Sequence, residues 1–258
     1  MEKEITFADL QALHKDIKFK GEVTDLRNDQ RITICLTSCG RWDLLESTLK
    51  SLVQFWDGPK PKALILKEDQ TFDEFGFDAF CDALKRMVGD FCPVDVWHGK
   101  HGQILSIDTI YSQVTTPYIF HCEDDWTFTK TGFIQKSLSI LEENPMISQV
   151  WIREPNDRNG HPASGQVQKT SDGVKYQMMK TGYRGVWHGH SFNPGLRRLA
   201  DYQKLFPNGM YSEIHWSPSN PLQAEQLVGK KYFKNGYRAC TLLDGYVVHS
   251  GNGRHCKG

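Results

Sequence analysis

Four times in the first half of the chain, a short apolar run rich in β-branched residues ends in a polar cluster, followed by a segment whose apolar residues recur three and four apart. "RITICLTS" (31–38) precedes a helical pattern with Leu45, Leu49, Leu52, Val53 and Trp56 on one face. "KALILKED" precedes "FDEFGFDAFCDALKRMV", and "PVDVWH" precedes "GQILSIDTIYSQV". "PYIFHCED" precedes a helix predicted from about Thr131 to Asn144, with Ile134, Leu138 and Leu141 inward. Such alternation predicts an α/β fold with a mostly parallel central sheet covered by helices on both faces. Sheets of this kind bind ligands where the loops leave the carboxyl ends of the strands. The polar clusters "TSCGR", "KED", "HGKHG" and "CEDD" all fall at those ends.

Beyond "MISQVWIREP" the alternation stops. Residues 156–173, rich in Gly, Asn, Asp and Ser, are expected as a long loop. A less regular stretch follows, with a helix near 219–235 and a last strand "GYVVHSG". Residues 1–28 carry a helical pattern, Phe7, Leu10, Leu13 and Ile17, and are expected as an appended helix packed on the sheet edge or on a second copy of the chain. The remaining residues, 29–258, are expected as one domain.

The charge balance narrows the partners. Basic and acidic residues number 31 each, which excludes the charge excess that draws a protein onto nucleic acid or an anionic membrane. The N-terminus is charged throughout and no run approaches the roughly 18 apolar residues of a transmembrane helix, so no transmembrane segment and a cytoplasmic location are expected. The seven cysteines are odd in number and contain no C-x-x-C pair, which favours reduced core residues over a disulfide frame or a zinc site.

Glu123, Asp124 and Asp125 repel one another at the end of an apolar strand, and a cation is their natural neutraliser. Oxygen ligands suit Mg²⁺ or Mn²⁺. In an extended segment Glu123 and Asp125 share one side and Asp124 takes the other, so Asp125 is expected to ligate directly, with Glu123 as ligand or water-mediated partner. The alternative is a solvated acidic turn capping the next helix. Arg41, Lys67 and Arg153 are basic residues available to counter phosphate, or else simply solvated. "WHGHSFNPGLRR" (187–198) offers aromatic faces for a sugar, or an ordinary buried strand and turn.

In their order along the chain these pieces resemble the GT-A glycosyltransferases, and within them the large family 2 group. The resemblance covers roughly Arg31 to Gly251. "ITICLTSCGRWDLLESTLKSL" is similar to that family's opening strand, nucleotide-contact loop and first helix, which implies nucleotide contacts at Thr37, Ser38 and Arg41. "LILKEDQ" resembles its second strand and implies another contact at Asp69. "GQILSIDTIYSQVTTPYIFHCEDD" leads into a D-x-D-like motif written Glu-Asp-Asp, implying that Glu123 and Asp124 help to bind the nucleotide and that Asp125 and Glu123 bind the metal. "AEQLVGKKYFKNGYRAC" looks like the segment that supplies the catalytic base. The family commonly has two acids there. This chain has Glu225-Gln226, so only Glu225 can serve.

Helical geometry bears on Glu225 independently. Leu222, Gly229 and Phe233 share its face, whereas Gln226, Lys230 and Lys234 mark another. A lone inward Glu has a desolvated carboxylate suited to proton abstraction, or pairs with a Lys or Arg at the helix edge. His249 ends an apolar run on the same side as Val247. Three partners compete for it: a metal ion, a donor phosphate, or a backbone carbonyl. In some GT-A enzymes a histidine near this point completes the metal shell.

The resemblance implies residues 29–155 as a nucleotide-binding half and 156–258 as an acceptor-binding half. It implies a metal-dependent enzyme that moves a sugar from a nucleoside diphosphate sugar to a carbohydrate or other hydroxyl acceptor, with inversion. Two rivals are a sugar nucleotidyltransferase, whose Gly-rich opening loop with Arg and Lys is absent from "TSCGRWD", and a non-catalytic binding relative of the same fold.

Overall fold

The computed structural model describes residues 30–158, 160–215 and 221–254. The helix expected within residues 1–28 lies outside them. Three successive units open the fold: β1 (Ile32–Ser38) and α1 (Trp42–Phe55), β2 (Leu64–Glu68) and α2 (Glu74–Val88), β3 (Val94–His98) and α3 (Gln103–Tyr111). β4 (Tyr118–Glu123) then leads through the short β5 (Trp126–Phe128) to α4 (Phe133–Glu143) and β6 (Ile147–Trp151). The later elements are β7 (Ala163–Lys169), β8 (Lys175–Met179), β9 (Gly195–Arg198), α5 (Leu199–Leu205), α6 (Met210–Glu213), α7 (Pro221–Lys234), β10 (Arg238–Leu242) and β11 (Val247–His249).

Nine strands form one sheet in the order β3-β2-β1-β4-β9-β6-β10-β8-β7. β1, β2, β3 and β4 run parallel, as the crossover helices between them require. β9 runs antiparallel to both β4 and β6. β1 is buried along its whole length because both its faces are covered. Ile32, Ile34 and Leu36 pack with Leu45, Leu49 and Leu52 of α1 and Ile134, Leu138 and Leu141 of α4. On the other face, Cys35 and Ile119 pack with Ile104, Ile107 and Ile110 of α3 and Ala224 and Val228 of α7. Asp108 lies buried in α3, where it accepts hydrogen bonds from Tyr202 Oη and from the amides of Met210 and Tyr211.

Two expectations need correction. Residues 156–173 are not a loop throughout: Ala163–Lys169 form an edge strand paired antiparallel with β8. Most of β7 is exposed, so no apolar alternation marks it in the sequence. The cysteines are not all reduced. Cys35, Cys81, Cys92, Cys122 and Cys240 are free thiols, but Cys39 is disulfide-bonded. Among the described residues no helix is long and apolar enough to cross a membrane.

Candidate active site

The acidic turn between β4 and β5 is fastened from below by α1. Thr48 Oγ1 donates to the Asp124 carbonyl at 2.7 Å and accepts from the Trp126 amide at 3.0 Å. One turn on, Ser51 Oγ accepts from the Phe128 amide at 3.1 Å. The two carboxylates of the turn share the Arg41 guanidinium but differ in their other partners. Asp124 turns towards the loop after β1, where Ser38 Oγ at 3.0 Å, the Cys39 amide at 3.2 Å and Nε and Nη2 of the Arg41 guanidinium bind it. It therefore braces the loop that the resemblance assigns to the nucleotide.

Asp125 also reaches β11. The two-stranded sheet of β5 and β11 places His249 opposite Trp126, with His249 Nε2 3.3 Å from Asp125 Oδ2. The other ring nitrogen, Nδ1, lies 3.1 Å from Asn252 Oδ1. His249 thus faces a carboxylate rather than a backbone carbonyl. The hydrogen bond to Asp125 raises the histidine's pKa. Burial opposes ionisation of Asp125, but His249 and Arg41 together hold its carboxyl below the usual range. Arg41 Nη1 lies 3.0 Å from Asp125 Oδ2, so a loop arginine takes much of the neutralising role that the sequence alone assigned to a cation. The chain passes closely over this pair. The Ser250 amide donates to the Asp125 carbonyl at 2.8 Å, and a Cβ on Gly251 would collide with the Asp125 carboxylate.

The spacing of the pair, though not its present hydrogen bond or the Arg41 contact, matches that of two ligands on a divalent ion. Neighbouring ligands at right angles around Mg²⁺, each at about 2.1 Å, stand about 3 Å apart, close to the separation of Asp125 Oδ2 and His249 Nε2. Glu123 is not part of that pair. Its Oε1 accepts from Gln103 Nε2 at 2.8 Å and its Oε2 from Trp126 Nε1 at 3.4 Å. Burial, with Asp125, Asp124 and Glu225 nearby, pushes its carboxyl up to about 8. Among the described residues no group of three or more His, Cys, Asp or Glu is gathered as a metal site.

Glu225 is half-buried on α7. Its Oε1 accepts from the Phe192 amide at 2.8 Å, and the Ser191 hydroxyl is a second donor. Burial raises its pKa, opposed by those hydrogen bonds and by the charges of Arg197 and Arg153. No lysine or arginine ion pair holds it at a helix edge among the described residues. The anchoring turn comes from the aromatic segment singled out in the sequence, but in another role. Trp187, His190 and Phe192 are buried, with His161 stacked on Trp187 at 3.9 Å and Tyr232 on His190 at 5.0 Å. The backbone of this segment serves the site, while protein neighbours occupy its aromatic faces.

Thr37 and Ser38 are buried at the end of β1. Asp69 accepts from the amides of His101 and Gly102, at the start of α3. The neighbouring Glu68, which sequence reasoning passed over, accepts from the Gly40 amide at 2.6 Å and so links β2 to the same loop. Lys67 is fully buried and donates to the carbonyls of Gly99 and Glu68, which leaves its ammonium turned into the protein. Arg153, also buried, pairs with Asp157 at 2.9 Å and lies over the Trp126 ring at 4.7 Å.

No family profile and no curated protein matches the sequence. Solved structures do. TarS from S. aureus, residues 1–349, aligns with a TM-score of 0.58 at 13% identity over 86% of this chain and 60% of its own length. The mannosyltransferase PcManGT from Pyrobaculum calidifontis, in complex with GDP-Man and Mn²⁺, aligns with a TM-score of 0.58 at 13% identity over 96% of this chain and 68% of its own. GalNAc-T7, with UDP, GalNAc and Mn²⁺, gives 0.56 at 12% identity over 88% and 47%. The chain spans about three fifths of the TarS fragment. With its mostly parallel sheet, flanking helices and these structural neighbours, the chain has the GT-A glycosyltransferase fold.

Proposed function

We propose that the protein is a metal-dependent glycosyltransferase that moves a sugar from a nucleoside diphosphate sugar to a carbohydrate or other hydroxyl acceptor, with inversion. The observation that carries this reading is the pairing of two kinds of carboxylate on the GT-A fold. Asp125 stands 3.3 Å from His249, a spacing that matches two ligands on a divalent ion, and Glu225 is a half-buried carboxylate with raised pKa held by two donors. The neighbours' Mn²⁺ complexes support the choice of Mn²⁺ or Mg²⁺.

In this mechanism Asp125 and His249 would hold the ion, and Arg41 and Ser38, braced through Asp124, would shape the nucleotide loop. The ion, when bound, stabilises charge on the departing diphosphate. Glu225 takes the proton from the acceptor hydroxyl as its oxygen bonds to the anomeric carbon. The bond to the diphosphate breaks on the opposite face, which inverts that carbon. Ser191 and the Phe192 amide keep the carboxylate in place meanwhile. A thermal-shift screen of nucleoside diphosphates with and without Mn²⁺ tests the reading, because a ligand of the native state alone raises the melting temperature. An Mn²⁺-dependent rise with at least one nucleotide is expected. Its absence for UDP, GDP, ADP, CDP and TDP alike refutes the reading.

A further inference from the structure

Glu225 depends on a turn, and the turn depends on two buried side chains from the sheet. Arg197, on β9, donates through Nη2 to the carbonyls of Ser191 at 2.7 Å and Asn193 at 3.1 Å, and through Nη1 to Tyr111 Oη at 3.1 Å. Gln149, on β6, clasps the backbone of Ser191 from both sides: its Nε2 donates to the carbonyl at 2.8 Å and its Oε1 accepts from the amide at 3.1 Å. Ser191 Oγ accepts from the Asn193 amide at 3.1 Å, which leaves its own proton for Glu225. Both sheet residues are buried, Gln149 completely, so water does not compete for these bonds. The helix is seated to match. Gly229, one turn after Glu225 on the same face, lies so close to His190 that an added Cβ would stand 3.1 Å from the His190 Cβ.

We propose that Arg197 is a positioning residue for the transfer reaction: its forked guanidinium pins the 191–193 turn, and the turn holds the Glu225 carboxylate ready to accept a proton. The inference rests on Glu225 as the base. Arg197 is separated from the reacting groups by that turn and acts through it. A bare ammonium cannot reproduce the fork, because two carbonyls and a phenol are bound from one rigid plane. The charge has a second effect. Among the ionisable groups acting on Glu225, Arg197 from β9 and Arg153 from the end of β6 favour ionisation, and Glu123 from β4 opposes it. His121 and His190, buried beside Arg197, are held neutral by burial and by its charge.

The test titrates full-length protein carrying ¹³C-labelled glutamate carboxylates, with the Glu225 resonance identified by its absence from Glu225→Gln. Nucleoside diphosphate release from a pool of UDP-glucose, UDP-N-acetylglucosamine and GDP-mannose with Mn²⁺ supplies the kinetics. In Arg197→Met the Glu225 midpoint should rise by about one pH unit or more. The acid limb of kcat should move up with it, and kcat should fall roughly 10- to 100-fold while the donor KM stays within about twofold. Arg197→Lys restores the charge without the fork, so the midpoint should return towards wild type while kcat stays low. Ser191→Ala, a smaller change, should also raise the midpoint. Folded Arg197→Met with a wild-type midpoint overturns the proposal, as does wild-type kcat in Arg197→Lys, which decides the matter if the methionine variant does not fold. Wild-type turnover in Glu225→Gln would instead overturn the base assignment, with the titrations still judging the clamp.

Discussion

Replacing Thr48 with valine asks whether the acidic turn is held from the helix beneath it. Thr48 is fully buried, and its hydroxyl makes two bonds to the turn, one to the Asp124 carbonyl and one from the Trp126 amide. Valine keeps the shape and removes both, leaving a buried carbonyl and a buried amide without these partners. Each such group costs about 1–3 kcal/mol, and the added methyl offsets part of that, so a loss of roughly 2–4 kcal/mol is expected. For a domain of this size that corresponds to a fall of roughly 5–12 °C in Tm. Thr109→Val is the matched control. Thr109 is also buried, but its hydroxyl bonds only to the Leu105 carbonyl one turn back in its own helix, so its loss should cost under about 1 kcal/mol. Scanning calorimetry reads both, and nucleotide affinity should weaken in Thr48→Val alone because Asp124 and Asp125 ride on the loosened turn. Equal melting temperatures for the two variants would refute the reasoning.

Asp125→Asn should lose Mn²⁺-dependent nucleotide affinity in titration calorimetry while circular dichroism reports an intact fold, and wild-type turnover in excess chelator would remove the metal from the mechanism. Glu225→Gln should still bind nucleotide but transfer sugar roughly 10² to 10⁴ times more slowly in single-turnover assays, the range for losing a general base. Burial lowers the Lys67 pKa to about 8, so between pH 8 and about 10 the unfolded chain holds a proton that the folded protein has released. Stability from this group therefore rises with pH across that window and is lost as pH falls through 8; urea denaturation of Lys67→Met should lack the rise. Because Cys39 is disulfide-bonded, protein denatured without reductant should titrate fewer thiols than the seven found after reduction.

The sheet's parallel half was legible because burial on both faces leaves a compositional mark. β1 and β2 are buried throughout and β4 in all but its last residue, and each reads as a mainly apolar run. β7 left no mark, since its exposure lets Ser, Gly and Gln occupy it. That Asp124 and Asp125 take different further partners followed from alternation, although both lie in the turn after β4. Their neutralisation by Arg41 did not, because that contact joins residues 83 apart in sequence and no local pattern encodes it. Thr48 and Ser51 did leave a signal: hydroxyl residues three apart within the apolar stripe of Leu45, Leu49 and Leu52. Read as helix surface they are unremarked; read as inward donors they mark whatever turn lies above. Glu225 was visible as a lone acid on an inward face, but the turn that holds it depends on Gln149 and Arg197, which sit on separate strands.

The late strand β9 lies between β4 and β6 and pairs with both. Residues 195–198 are made only after everything through β6, so the two flanking strands must wait with their inner edges unpaired until this four-residue piece arrives. A fragment ending near residue 155 would keep those edges open, each a template for strand addition from a neighbouring molecule. Residues up to about 155 should therefore not be separable as a tractable module. Truncations that stop short of β9 should collect as aggregates, and in the intact chain the slow step of folding should be the closing of this gap.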